Sequence, residues 1–150
     1  MMTEISMGSM GADIADLDND GDLDLVINHL NQTSEILENK SQKGNWLQVD
    51  LTFSGSNHFG IGAKVTLYSE LEIQFLEQQP VRGFQSSSSY RLHFGLGNAS
   101  KIDSLVILWP DQSIEKLIDL LPNQRLNLSP KSTSTSSLLR TRISSLFVKA

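Results

Sequence analysis

One short stretch decides how this chain folds: Asp16-Leu17-Asp18-Asn19-Asp20-Gly21-Asp22-Leu23-Asp24. An aspartate stands at every second position. Carboxylates at loop positions one, three, five and nine, with glycine at position six, can all turn inward on one hard cation. Calcium suits this set because it takes about six to eight oxygen ligands and tolerates a flexible geometry. The predicted ligands, completed by water, are the side chains of Asp16, Asp18, Asp20 and Asp24 and the backbone carbonyl of Asp22.

The alternative interpretation of this run is a solvated acidic turn that binds nothing. Against it, the acids are strictly phased, and the apolar residues Ile14, Leu17 and Leu23 are threaded among them. Carboxylates held a few ångströms apart without a cation also repel each other and raise one another's pKa. The pattern therefore favours a bound calcium ion.

The segments on either side of the loop predict strands. An EF-hand needs a glutamate at loop position twelve and a helix after it, whereas position twelve here is Ile27. Leu23–Asn28 is rich in β-branched residues and alternates as a strand does, and Met10–Ala15 is similarly short and apolar. The loop is therefore expected to join two strands, which disfavours an EF-hand or a dockerin.

Gly11–Val26 resembles the calcium loop of FG-GAP or VCBS-type repeats, which are the blades of integrin-like β-propellers. The resemblance implies that the four side-chain ligands named above lie between two blade strands. A blade has about four strands, and only about three are predicted between Gly8 and Ser41. Residues 1–44 are therefore expected to be the last part of a blade, with upstream propeller blades in a longer parent chain.

Composition and charge exclude several classes of function. The chain has 150 residues, no cysteine and a net charge of −5, and residues 13–24 hold six aspartates and no basic residue. Because that stretch carries −6, the rest of the chain carries +1, and no surface for nucleic acid is indicated. The lack of cysteine excludes disulfides and thiolate zinc sites. The sequence contains no run of about 18 apolar residues that could span a membrane, and Met1–Met7 lacks the basic and apolar regions expected of a signal peptide.

Beyond residue 44 the sequence predicts about seven short strands separated by turn residues. They are expected at Trp46–Phe53, Gly62–Tyr68, Leu71–Phe75, Tyr90–Phe94, Ser104–Trp109, Ile114–Leu120 and Arg125–Leu128. Leu105–Leu108 is apolar on both faces and should be the most buried strand, whereas His93 should lie on an exposed face. The predicted fold class is all-β: a partial β-propeller blade with a calcium loop, followed by a β-sandwich or barrel-like domain.

Four ordered motifs give this second segment a resemblance of its own. They are Asn45-Trp46-Leu47-Gln48-Val49, Gly60-Ile61-Gly62-Ala63-Lys64-Val65, His93-Phe94-Gly95-Leu96-Gly97 and Trp109-Pro110-Asp111. In this order they are similar to the ASPIC/UnbV domain, which follows such repeats in cartilage acidic protein-like and bacterial surface proteins. The resemblance covers residues 45–128 and implies a location outside the cell or at its surface.

We therefore predict three units. Residues 1–44 form the partial repeat, residues 45–128 the ASPIC/UnbV-like domain, and residues 129–150 a Ser/Thr-rich linker and a tail. The second unit has a complete set of strands and should fold alone, whereas the first should not. Calcium should accordingly stabilise the first unit only. The sequence leaves open whether the tail is a weak amphipathic helix, disordered or out-of-frame sequence.

The sequence favours a calcium-binding, non-catalytic module for recognition or adhesion, with a protein or glycan as its ligand. His29, His58 and His93 lie on different predicted elements, and no nucleophile motif surrounds any serine. Two alternatives stay open. The chain could be an accessory domain of a biosynthetic enzyme, or a purely structural cap on a propeller.

Overall fold

The computed structural model describes residues 9–41, 44–70, 72–83 and 87–130, and within these ranges the chain is all-β. The strands are β1 (Ser9–Ala15), β2 (Asp24–His29), β3 (Glu35–Leu37), β4 (Asn45–Leu51), β5 (Lys64–Ser69), β6 (Ile73–Glu77), β7 (Leu92–Gly97), β8 (Ile102–Leu108), β9 (Ile114–Leu120) and β10 (Gln124–Leu128). No helix in the described ranges is long and apolar enough to cross a membrane. The predicted all-β class is confirmed, and residues 131–150, which hold most of the predicted linker and the tail, lie outside the described residues.

The strands form three sheets, and none of them closes into a barrel. The first segment forms the antiparallel sheet β1–β2–β3. The second segment forms a three-stranded sheet, β10–β4–β7, and a four-stranded sheet, β6–β5–β8–β9. β10 runs parallel to β4, and the other neighbouring pairs are antiparallel. Because neither sheet of the second segment closes, the described strands do not form the barrel-like alternative.

One hydrophobic core lies between the two sheets of the second segment. Alternate residues of the strands point into it, as the apolar pattern of period two requires. The fully buried members from these strands are Leu47, Val49, Val65, Leu67, Phe94, Ile102, Leu105 and Ile107. Trp109 is also buried and stacks on Phe53, with 5.9 Å between the ring centroids. Leu47, Val49 and Leu51 thus form the inward face of β4.

The prediction that Leu105–Leu108 is the most buried strand is wrong, because only one of its two apolar faces is buried. Leu105 and Ile107 point into the core, but Val106 and Leu108 on the outer face are only half-buried. Leu108 pairs with Ile114, which is 58% exposed. Within the described ranges no layer covers this outer face. Apolar residues on both faces of a strand do not show whether each face is covered by another layer of the structure.

The outer face of the other sheet, β10–β4–β7, is covered by the first segment. Gln48 of β4 is 3% exposed and donates a hydrogen bond to Asp16 in the loop between β1 and β2. His93, paired with Gln48 across β4 and β7, is half-buried. The prediction that His93 is exposed is therefore wrong. The alternation of apolar and polar residues in β7 puts His93 on the outer face of the sheet, but it does not show that the first segment packs against that face.

Candidate metal centre

The loop between β1 and β2 owes its shape to two residues with left-handed backbone. Asn19 has a φ of 61° and Gly21 a φ of 96°. Asparagine tolerates this conformation better than most residues, and glycine adopts it without steric cost. The chain therefore turns sharply between the third and fourth predicted side-chain ligands.

Backbone amides of the loop turn inward on its own carboxylates. The Asp20 amide donates to Asp16 Oδ1 at 3.1 Å and to Asp18 Oδ1 at 3.2 Å. The amides of Gly21 and Asp22 donate to Asp16 Oδ2 at 3.2 Å and to Asp20 Oδ1 at 3.1 Å. These bonds curl the loop around its acidic side chains.

Three of the predicted ligands come together. Asp16, Asp18 and Asp20 each offer a carboxylate oxygen, and these oxygens lie within 4.8 Å of one another. Two ligands of one calcium ion, each at about 2.3 to 2.6 Å from it, are at most about 5 Å apart. The spacing and the all-oxygen donor set therefore fit a single calcium ion.

Asp24 is placed differently from these three. Its carboxylate is buried, and it accepts hydrogen bonds from the backbone amides of Leu17 at 3.0 Å and Asn39 at 2.9 Å. It therefore ties the start of the loop to the segment that follows β3. Its role as a ligand, like that of the Asp22 carbonyl, stays a prediction.

Gln48 is a residue of the centre that sequence reasoning missed. Its Nε2 group donates to Asp16 Oδ2 at 2.6 Å. Together with the amides of Asp20 and Gly21, it gives the Asp16 carboxylate three donors. The only signal in the sequence was a polar residue between Leu47 and Val49 on a predicted strand, and that pattern is common to any half-buried strand.

Trp46 lies against the loop on the same face of β4 as Gln48. The Nε1, Cδ1 and Cε2 atoms of its indole occupy the space where a Cβ atom of residue 21 would stand. The ring stacks on His93, with 6.5 Å between the centroids and 17° between the planes. Burial lowers the pKa of His93 from 6.5, while the negative charge of Asp16 raises it and the positive charge of Arg91 lowers it.

Two further contacts join the first segment to the second. The Ser88 hydroxyl donates to Asp13 Oδ1 at 3.0 Å, and Arg91 Nη1 lies 3.5 Å from Asn19 Oδ1. Arg91 also pairs with Asp50 at 3.4 Å.

A groove of about 580 Å³ runs beside the loop, between the two segments. Its lining combines polar side chains with glycines and one large aromatic ring. It includes Asp20, Asp22, Asn45, Trp46, His93 and Asn123. The three histidines do not share this groove: His29 ends β2, His58 lies between β4 and β5, and His93 lies in β7.

Comparison with known proteins identifies the second segment. Residues 53–135 match the family described as ASPIC and UnbV. The chain is also 33% identical over 109 residues to cartilage acidic protein 1 of Xenopus tropicalis, in an alignment that covers 69% of this chain and 16% of the relative. The chain thus spans a small part of the length of the curated relative it matches. Because the family match covers more than half of its residues, this protein belongs to the ASPIC and UnbV family.

Proposed function

We propose that this chain is a calcium-binding, non-catalytic recognition or adhesion module of a surface or secreted protein. The observation that carries the proposal is the convergence of Asp16, Asp18 and Asp20 on one point at the Gly21 turn. Asp24 and the Asp22 carbonyl complete the proposed ligand set. Bound calcium supplies positive charge that offsets the repulsion between these carboxylates. The loop residues supply the oxygens and hold them in place.

We assign the first segment to the end of a propeller blade. Its antiparallel sheet β1–β2–β3 with an acidic loop between the first two strands supports this assignment. Ile14 and Ile36 on the two edge strands are more than half exposed. Large exposed apolar side chains on an uncovered sheet are suited to contact a neighbouring layer. We propose that an upstream blade of a longer parent chain supplies that layer.

The proposed ligand is a protein or a glycan that binds beside the calcium loop. The groove there offers carboxylates, side-chain amides and one aromatic ring. Polar groups of this kind bind hydroxyls and peptide groups, and an aromatic ring packs on apolar surface. The name of the relative, cartilage acidic protein 1, supports a place outside the cell for this chain.

A second candidate function is structural. The first segment is hydrogen-bonded to the second by Gln48, Ser88 and Arg91, which favours calcium as a stiffener of the junction between the segments. The full chain should be screened on protein and glycan arrays with calcium and with a chelator. Binding that needs calcium favours recognition, whereas calcium-dependent stability without any array partner favours the structural role.

Isothermal titration calorimetry with calcium chloride tests the metal site itself. The chelator-treated full chain should bind one ion with a Kd on the order of 10⁻⁵ to 10⁻³ M, as extracellular modules do. Magnesium should compete poorly because it requires a compact octahedral site and loses its waters reluctantly. Asp18→Ala with Asp20→Ala should abolish the calcium heat.

The matched control removes two exposed carboxylates away from the loop, Glu70→Ala with Asp103→Ala. It changes the net charge by the same amount, so it should leave the calcium heat as it is in the wild type. A wild type without calcium heat, or a loop variant that keeps it, would refute the metal site.

A further inference from the structure

We propose that the second segment contributes to the calcium site, with Gln48 as a positioning residue for Asp16 and with Trp46 as the contact that couples the loop to β4. This inference rests on the proposed binding of calcium at the loop. It assigns to two strand residues of the second segment a role in metal affinity, and it makes the site a shared structure of both segments.

The position of Gln48 explains why its hydrogen bond is strong. The side chain lies on the outer face of the β10–β4–β7 sheet, between the cross-strand neighbours His93 and Arg125. At 3% exposure the amide has almost no access to water. The Asp16 carboxylate, at 2.6 Å, therefore provides the hydrogen-bond partner that the buried Nε2 group needs. A hydrogen bond to a charged carboxylate is also stronger than a hydrogen bond to a neutral acceptor.

The bond also restricts how Asp16 can turn. Oδ2 accepts from Gln48 and from the Gly21 amide, and Oδ1 accepts from the Asp20 amide. Each carboxylate oxygen has two lone pairs, so the two donors occupy those of Oδ2, and Oδ1 keeps one lone pair for a metal ion. Partners that orient a metal ligand in this way typically change metal affinity by about 10 to 100-fold when they are removed. We expect the removal of the Gln48 donor to weaken calcium binding by a factor in this range.

The chemistry of the glutamine suits the task. An amide donates a hydrogen bond without carrying positive charge, so it orients Asp16 without neutralising it. A lysine or arginine at the same place would compete with the cation for the carboxylate.

Trp46 extends the contact from one side chain to the strand. Its indole lies on Gly21 at the turn of the loop. Asn123 holds its backbone twice, since the Trp46 N–H donates to Asn123 Oδ1 at 3.1 Å and the Trp46 carbonyl accepts from the Asn123 amide at 2.7 Å. The strand that carries the indole is therefore held in place. When calcium binding changes the loop, we expect the environment of the indole to change with it.

The first test compares two glutamines in the same sheet by calorimetry with calcium chloride. Gln48→Leu keeps the volume of the side chain and removes the donor, and it should raise the Kd for calcium by about 10 to 100-fold. Gln124→Leu is the matched control. Gln124 lies in β10 and donates to the Leu121 carbonyl at 2.6 Å, so its loss should change the Kd by less than about twofold on the same scale.

The second test uses the wild-type chain and does not depend on a variant that folds. The chain has two tryptophans, and each gives one indole N–H signal in a ¹H–¹⁵N correlation spectrum. The Trp46 signal should shift as calcium chloride is added, with the Kd that calorimetry measures. Trp109 is buried in the core, and its signal should stay in place. Trp46→Phe assigns the two signals.

The outcomes separate this inference from the proposed function. If the wild type binds calcium and Gln48→Leu binds it equally well, the positioning role of Gln48 is overturned while the metal site stands. If the wild type binds calcium and the Trp46 signal stays in place, the coupling to β4 is overturned. If the wild type binds no calcium, the metal site and this inference both fail.

Discussion

The indole of Trp46 and the backbone of Gly21 are in direct contact, although the two residues belong to different segments of the chain. A Cβ atom built on Gly21 would overlap the Nε1, Cδ1 and Cε2 atoms of the indole. Gly21 therefore meets two requirements. It adopts a φ of 96°, which lets the loop turn, and it leaves room for an aromatic ring that the second segment places against the loop.

Substitution of Gly21 should separate these two requirements. We expect Gly21→Ala to lower the free energy of unfolding by more than 2 kcal/mol, because about 1 to 2 kcal/mol of left-handed strain adds to the overlap with Trp46. Gly55→Ala is the control, since Gly55 has a φ of 73° and open space around its Cα atom. It should cost only the strain, as urea unfolding at neutral pH can measure. Equal losses in the two variants would contradict the contact.

Asp24 should matter to the loop even without metal. Asp24→Ala removes the acceptor for the amides of Leu17 and Asn39, and hydrogen bonds to charged groups contribute about 1.5 to 3 kcal/mol each. In chelator, amide exchange at both positions should therefore become at least about tenfold faster. Asp18→Ala is the control, because Asp18 lies on the exposed part of the loop. Unchanged exchange in Asp24→Ala would refute this structural role.

The local part of the site could be predicted from sequence because its residues are close in the chain. One turn brings Asp16, Asp18 and Asp20 together, so their spacing in the sequence is enough to predict that their carboxylates lie close to one another. The donors that fix this turn from outside are not local. Gln48 is 32 positions from Asp16, and no periodicity within β4 tells which segment will cover its outer face. Asp24 was predicted as a ligand, and its bonds to Leu17 and Asn39 were not foreseen.

The strands were predictable for a related reason. Alternation of apolar and polar residues is a local property, and β9 has the predicted bounds Ile114–Leu120. Pairing is a property of the whole chain. The parallel contact between β10 and β4 joins residues such as Leu126 and Val49, and no local pattern indicates it. The half-buried Val106 and Leu108 show the same limit, because apolarity does not tell which face of a sheet finds a partner.

His93 should make stability depend on pH. Burial lowers its pKa from 6.5, so the unfolded chain takes up a proton at a higher pH than the folded chain. Stability from this group is then present above about pH 6.5 and is lost as the pH falls through the lower folded pKa. In chelator, the wild type should lose more stability between pH 7 and pH 5 than His93→Gln does, as urea unfolding can measure. His58→Gln, at an exposed site, should follow the wild type, and a His93→Gln profile like that of the wild type would contradict the prediction.

Calcium should stabilise β4 as well as the loop. Binding to the folded chain alone raises stability by about 2.7 kcal/mol at a hundredfold excess over the Kd, which slows exchange about 100-fold for amides that open with the site. The sequence pattern alone predicts that this gain in stability is limited to the first segment. Gln48 and Trp46, however, connect the loop to β4. Hydrogen exchange with and without calcium should therefore show slower exchange in β1, β2 and β4. Exchange in β8, which lies in the other sheet of the second segment, should change little. A gain limited to β1 and β2 would show that these contacts do not carry the effect of the metal, and an equal gain in β8 would show that the chain opens as one unit.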